Sequence, residues 1–300
     1  MRGGAKMASL EDSRPEAIWK VGAELGEGPV WVERDRALWF VDIKRQKIHR
    51  FDPASADKKS WNAPEQIGFL LPAASGGFVA GMQSGLHRFD ALSGSFSKIV
   101  DVEAHLPGNR INDGTVDPSG RLWFGTMDNQ EESATGCFYR FEDGRHVEAE
   151  LPKITITNGP VHSPDGRILY HVDTLAQTIQ ACDVAEDGTL GPSRPFVRIG
   201  EGEGFPDGPT VDAEGCVWVG LYFGWEARRY SPAGELIGRV RFPTSNITKV
   251  AFGGPDLKTL YATSAQQGLK PDALAEQPEA GSLFAVDLDV PGLPGSLIAL

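Results

Sequence analysis

The stretch Asn109 to Gly125, NRINDGTVDPSGRLWFG, contains the unit from which the chain is built. Pro118-Ser119-Gly120 supplies a residue that presets φ and one that tolerates positive φ, as a hairpin turn requires. Behind it, Leu122-Trp123-Phe124-Gly125 reads as a short apolar strand. Equivalent strands stand at Leu38-Trp39-Phe40-Val41, Gly77-Phe78-Val79-Ala80, Leu169-Tyr170-His171-Val172, Val217-Trp218-Val219-Gly220 and Leu260-Tyr261-Ala262-Thr263. Aligned on Trp39, Phe78, Trp123, Tyr170, Trp218 and Tyr261, they lie 39, 45, 47, 48 and 43 residues apart, a blade-type period.

A second strand follows each of these, at Lys47 to Asp52, Leu86 to Asp90, Cys137 to Glu142, Thr178 to Asp183, Ala227 to Ser231 and Ser282 to Asp287. Two independent markers therefore count six repeats. Further turns stand at Pro164-Asp165-Gly166, Ala213-Glu214-Gly215 and Gly253-Gly254-Pro255-Asp256, and with 36 Gly and 21 Pro long helices are excluded as the main architecture. The pattern predicts an all-β, six-bladed β-propeller with four antiparallel strands per blade. Residues 16–25, EAIWKVGAEL, supply the outermost strand of the last blade, so that the N-terminal strand closes the ring.

At 300 residues and 40% hydrophobic composition the repeats fill the chain without an evident linker. Residues 16–300 are expected to form one domain, preceded by a disordered N-terminus over residues 1–15. A net charge of −12 and the lack of a Lys/Arg cluster argue against nucleic acid and anionic membranes as partners, and for a small neutral or weakly charged ligand. Cys137, Cys182 and Cys216 lack CxxC spacing and fall in predicted strands, so buried free thiols are expected. The first residues carry no apolar core of a leader and no run of 18 apolar residues occurs, from which a cytoplasmic protein, a monomer or weak dimer, is expected. His162 and His171 are read as structural. No HExxH, GxSxG or strand-borne dinucleotide motif is present, which disfavours serine hydrolase and NAD chemistry.

Register points to a site. Glu27 and Asn158 stand 12 residues before their aromatic markers, and Asn112 and Asp207 stand 11 before theirs. Thr248 lies 13 before Tyr261, and the second repeat offers Gln66 or Ile67. Three of these positions open the phrases Glu27-Gly28-Pro29, Asn158-Gly159-Pro160 and Asp207-Gly208-Pro209, while Asp113-Gly114 follows Asn112. Innermost strands of a propeller line one channel, so distant residues in register converge there. Pro164-Asp165-Gly166 resembles Pro206-Asp207-Gly208 but lies between two strands, so Asp165 is assigned to a turn and Asp207 to the channel. Two carboxylates at ~4 Å and an effective dielectric of ~20 repel by about 4 kcal/mol, a cost that a divalent cation removes. All-oxygen ligands favour Ca²⁺, Mg²⁺ or Mn²⁺ and leave Zn²⁺ and Fe²⁺ open.

The pieces Gly26-Glu27-Gly28-Pro29, Asn109-Arg110-Ile111-Asn112-Asp113-Gly114, Gly125-Thr126-Met127, Thr157-Asn158-Gly159-Pro160, Phe205-Pro206-Asp207-Gly208 and Phe252-Gly253-Gly254 occur in this order. Together they resemble the senescence marker protein, gluconolactonase and regucalcin-like family over about residues 16–300, and within it the bacterial sugar-acid lactonases, xylonolactonases among them. The resemblance implies a six-bladed propeller and a metal-dependent lactonase acting on a sugar lactone such as xylono-, arabinono- or gluconolactone. It implies one divalent metal ion on Glu27, Asn158 and Asp207, and substrate contacts from Arg110 and Asn112, with Gln130 or Glu131 as the acidic contact after Gly-Thr-Met. Asp207 is the expected general base, with a hydroxide held by the ion as the alternative. Tyr222, Phe223 and Trp225 are expected in the pocket wall. A calcium-binding propeller without turnover, or an esterase acting on other esters, are the rival readings.

Overall fold

In the computed structural model, Leu10 and residues 13–300 are described; the disorder expected over residues 1–15 falls mainly on positions outside them. Four antiparallel four-stranded sheets follow the chain. The first is Gly26–Val32, Ala37–Asp42, Lys47–Asp52 and Asp57–Asn62, and the second Ile67–Pro72, Phe78–Met82, Gly85–Asp90 and Ser95–Asp101. The third is Asn109–Val116, Leu122–Asp128, Phe138–Glu142 and Arg145–Glu148, and the fourth Thr157–His162, Ile168–Asp173, Thr178–Asp183 and Arg194–Arg198. An eight-stranded sheet holds the remainder. One half is Phe205–Val211, Val217–Tyr222, Glu226–Tyr230 and Leu236–Arg241; the other is Ile247–Gly253, Thr259–Ser264, Leu283–Asp287 and Glu16–Trp19. A single parallel pair, Gly208 with Lys249, joins the halves.

The first strand of every sheet or half-sheet lies beside the first strand of the next: Gly26–Val32 beside Ile67–Pro72, and so on to Ile247–Gly253, which returns to Gly26–Val32. The arrangement is propeller-like, with these inner strands around a common axis. Glu16–Trp19 pairs antiparallel with Leu283–Asp287 at the outer edge, so the N-terminal segment does join the last sheet, over fewer residues than 16–25. Among the described residues no helix is long and apolar enough to cross a membrane.

The aromatic markers are core residues. Trp39, Phe78, Trp123, Tyr170, Trp218 and Tyr261 are all buried. A buried indole needs a partner for its N–H. Trp39 Nε1 donates to Asp35 Oδ2 at 3.1 Å, Trp123 Nε1 to Asp117 Oδ2 at 3.1 Å and Trp218 Nε1 to Asp212 Oδ2 at 2.9 Å, each acid standing in or just before the turn that precedes the strand. The three cysteines are buried free thiols.

Three buried histidines make stability pH-dependent. Burial lowers His49, His162 and His171 from 6.5 to about 4; Asp42 acts against it at His49, and Asp117 at His162. Between these values the unfolded chain binds protons that the folded protein refuses. Their stabilising effect is therefore complete above pH ~6.5 and is lost as pH falls toward 4, by about 3 kcal/mol for each ring at most. Urea unfolding at pH 7.5 and 5.0 is expected to show the loss. His162→Phe, compared with wild type at each pH so that other groups cancel, should remove roughly a third of the histidine contribution.

Candidate functional site

The inner strands are all interrupted at one level. Their ladders shift between Glu27 and Val30, Ile67 and Phe69, Ile111 and Asp113, Asn158 and Val161, Pro206 and Pro209, and Ile247 and Val250. The Gly-Pro phrases account for three of these. Gly28 and Gly159 take φ of 55° and 72°, and Pro29, Pro160 and Pro209 have no N–H for the ladder. A bulge bends the strand and re-aims the side chain beside it. Glu27, Asn112, Asn158 and Asp207 all sit at such breaks and all are buried. In the second sheet the residue at the break is Gly68, where a Cβ would lie 2.2 Å from the Asn112 carbonyl oxygen, and Ile67 beside it packs in the apolar core.

Hydrogen bonds tie the polar residues together. Arg110 Nη1 donates to Asn112 Oδ1 at 2.6 Å, and Asn112 Nδ2 donates to the Thr157 carbonyl at 2.6 Å and to Asn158 Oδ1 at 3.2 Å. Asn158 Nδ2 donates to Thr174 Oγ1 at 2.9 Å, which orients its amide. Glu27 Oε2 accepts from the Gly28 N–H at 2.7 Å.

Burial raises the Glu27 carboxyl to about 7; Asp113 adds to the rise, while Lys249, the Gly28 N–H and Arg110 oppose it. Asp207 is pushed well above the usual carboxylate range by burial and then by Glu27 and Asp113, with Lys249 and Arg110 opposing. Desolvation lowers Arg110 to about 10 against the pull of Glu131, Glu27 and Asp207. These groups therefore share one low-dielectric site, although they come from separate sheets.

The rim is built from turns. Arg110 Nε and Lys44 Nζ both donate to Asn129 Oδ1, at 3.1 and 3.0 Å. Burial lowers Lys44, with Arg110 next in effect and Glu131 and Glu24 opposing. Glu131, at φ 62°, thus acts on Arg110, Lys44 and also Tyr222. Gln130 and Glu131 are both exposed; the Gln130 N–H closes the turn onto Asp128 Oδ1 at 3.1 Å, and of the two only Glu131 carries a charge that acts on Arg110. Burial and the nearby Asp207 raise the Tyr222 hydroxyl, which donates to the Gln267 carbonyl. Phe223 and Trp225 instead line a separate surface hollow with Glu203 and Arg228. Asp165 lies in its exposed hairpin turn, accepting from Ser163 Oγ at 2.6 Å.

Asp113, Lys249, Lys44 and Asn129 are site neighbours that sequence reasoning did not single out. Lys249 had a usable signal: it stands 12 residues before Tyr261, the offset of Glu27 and Asn158 from their markers. Asp113 is ion-paired with Lys249. Among the described residues no three His, Cys, Asp or Glu side chains form a metal-holding group, so a cation at the axis would rest on Glu27 and Asp207 supplemented by the Asn158 amide oxygen. Asn158 Oδ1 accepts one hydrogen bond and retains a lone pair. This hard-oxygen set, with two mutually destabilised carboxylates, fits a divalent cation.

Residues 25–266 match the family described as the SMP-30/gluconolactonase/LRE-like region. A regucalcin from Danio rerio is 35% identical over 290 residues, covering 95% of this chain and 98% of that protein. An L-arabinolactonase from Azospirillum brasilense is 39% identical over 264 residues, 87% of each chain. The solved structure of a regucalcin from Agrobacterium tumefaciens, described as a calcium-binding protein, superposes with a TM-score of 0.93 at 29% identity, covering 98% of this chain and all of that one.

Proposed function

Since the chain belongs to the SMP-30/gluconolactonase/LRE-like family, we propose that it hydrolyses a sugar lactone on a six-bladed propeller, with a divalent cation held by Glu27, Asn158 and Asp207. The observation that carries the reading is the burial of Glu27 and Asp207 together beside a buried Arg110. The two acids call for a cation, whereas a site that only bound a cation would have no use for a guanidinium at its edge.

When bound, the ion supplies Lewis-acid polarisation of an ester carbonyl. The chain's own residues do the rest. Asp207 is the base that takes a proton from the attacking water. The water oxygen bonds to the lactone carbonyl carbon, the ring C–O bond breaks, and the ring oxygen leaves as a hydroxyl by taking the proton from Asp207, which is thereby restored as the base. Arg110 and Asn112 hold sugar hydroxyls through the donors and acceptors left by their mutual bond. Glu131 accepts from a further hydroxyl. Tyr222, fixed by Gln267, closes one wall.

A pH-indicator assay with xylono-, arabinono- and gluconolactone and phenyl acetate, on protein stripped with EDTA and then given Ca²⁺, Mg²⁺, Mn²⁺ or Zn²⁺, tests this. Acid release from a lactone that stops on chelation and returns with a cation is expected. Cation binding without turnover of any substrate would instead support the calcium-binding reading, which the description of the Agrobacterium protein favours. On the active lactone, Glu131→Gln is expected to raise KM about tenfold, as loss of a charged hydrogen bond should. Gln130→Ala is expected to leave KM unchanged; the reverse order would reassign the contact.

A further inference from the structure

Asp113 and Lys249 are 1% and 8% exposed, and the reading above gives neither a contact with cation or substrate. Asp113 Oδ1 accepts from the Gly114 N–H at 2.7 Å and from Lys249 Nζ, while its Oδ2 accepts from the Gly159 N–H at 2.9 Å. Lys249 pairs with Gly208 through the backbone, and its stem fills the space over that residue: a Cβ on Gly208 would lie 2.5 Å from Lys249 Cγ. Each contact adjoins a residue of the site. Asp113 follows Asn112, Gly159 follows Asn158 and Gly208 follows Asp207. One ion pair therefore ties four strands at the level of their bulges, three of them carrying site residues.

The far side of the pair borders a second space. A cavity of about 400 Å³ continues along the axis there, and Lys249 shares its wall with Pro29, Pro160, Pro209 and Phe69. Both partners are buried, so removing one strands the other.

We infer that the Asp113–Lys249 pair is the positioning element of the acid site, setting the relative places of Asn112, Asn158 and Asp207 and forming the floor between the site and the axial cavity. This rests on the proposed reading of those three residues. Cation ligands must be held to a fraction of an ångström, and partners that orient them contribute about ten- to a hundredfold in metal affinity.

The test uses Mn²⁺ alone as probe, by calorimetry on the full chain, with Lys249→Met, Asp113→Asn, the double variant and Lys249→Arg. Lys249→Met and Asp113→Asn are expected to raise the Mn²⁺ Kd about ten- to a hundredfold. The double variant should be no worse than the poorer single one, because the pair acts as a unit. Lys249→Arg, which keeps the charge on Asp113, should stay within a few-fold of wild type. Should Lys249→Met fail to fold, the double variant, which strands no charge, decides. A lowered Tm with unchanged Mn²⁺ Kd would reduce the pair to general stability and overturn the inference. If the wild type bound no Mn²⁺, the proposed function would fail instead. The crystal structure of the double variant would then judge the pair: displacement of Asn158 relative to Asp207 supports it, and unchanged positions overturn it.

Discussion

Replacing Asp207 by asparagine is expected to lower lactone turnover by about a thousandfold or more, while making the cation-free protein harder to unfold. Both effects concern one buried carboxylate. Asp207 is buried, and burial, Glu27 and Asp113 all act against its ionised form. In the cation-free protein those forces make its burial costly, and in the loaded enzyme the same carboxylate is the proposed base. Asparagine keeps the shape and one oxygen, but it removes the base and the repulsion with Glu27 together. A loss of kcat at saturating cation and lactone, with a higher urea midpoint after EDTA treatment, is the expected pair of results. Asp165→Asn is the control. That residue serves an exposed turn through Ser163 and the Arg167 N–H, and its replacement should change neither measurement. Retained turnover in Asp207→Asn would remove Asp207 from the role of base. A lower midpoint would show that the carboxylate is stabilised by contacts rather than strained by its neighbours.

The strands were legible because period and turn chemistry agree. Lys47–Asp52 and Thr178–Asp183 have the limits read from residue pattern alone, and the first-marker strands all lie where Trp39 through Tyr261 place them. The acid site was legible for a related reason: Gly-Pro after Glu27, Asn158 and Asp207 forces the same bulge three times, so local chemistry announces the level at which the strands turn inward. Asp113 and Lys249 were less legible. An ion pair between residues 136 positions apart leaves no local trace beyond register, and there Thr248 and Asn112 were the competing choices. Thr248 proves to be a strand-to-strand tie, donating to the Gly26 carbonyl at 2.6 Å. The rim was legible only in part. Lys44 and Asn129 meet through turns of different sheets, and Trp225 turns away from the site because its own turn, with φ 63°, is a local choice that pattern does not encode.

Deleting the chain through Lys20 is expected to lower Tm by on the order of 10 °C and to make the protein self-associate. Glu16, Ala17 and Trp19 pair with Ala285, Phe284 and Leu283, and without them Leu283–Asp287 becomes an open sheet edge. The segment also reaches beyond its own sheet. Trp19 packs edge-on against Phe40 and His49, at 5.5 and 5.2 Å between centroids, and Lys58 Nζ donates to the Ile18 carbonyl at 2.9 Å. It therefore joins the last sheet to the first, alongside the tie from Thr248 to the Gly26 carbonyl. Trp19→Ala separates the two contributions: it removes the ring's packing on the first sheet but leaves the edge paired, so Tm should fall by less and the protein should stay monodisperse. The C-terminal segment provides a second tie, with the Ile298 N–H donating to the Pro72 carbonyl at 3.0 Å and the Ala299 N–H to the Gly120 carbonyl at 2.9 Å, but it crosses to the second and third sheets and covers no edge of the last. If melting and sedimentation showed the deletion variant as stable and monodisperse as the full chain, closure would have to be assigned to that C-terminal tie. Loss of Tm with self-association, relieved by adding back a peptide of residues 13–20, would assign it to the N-terminal strand.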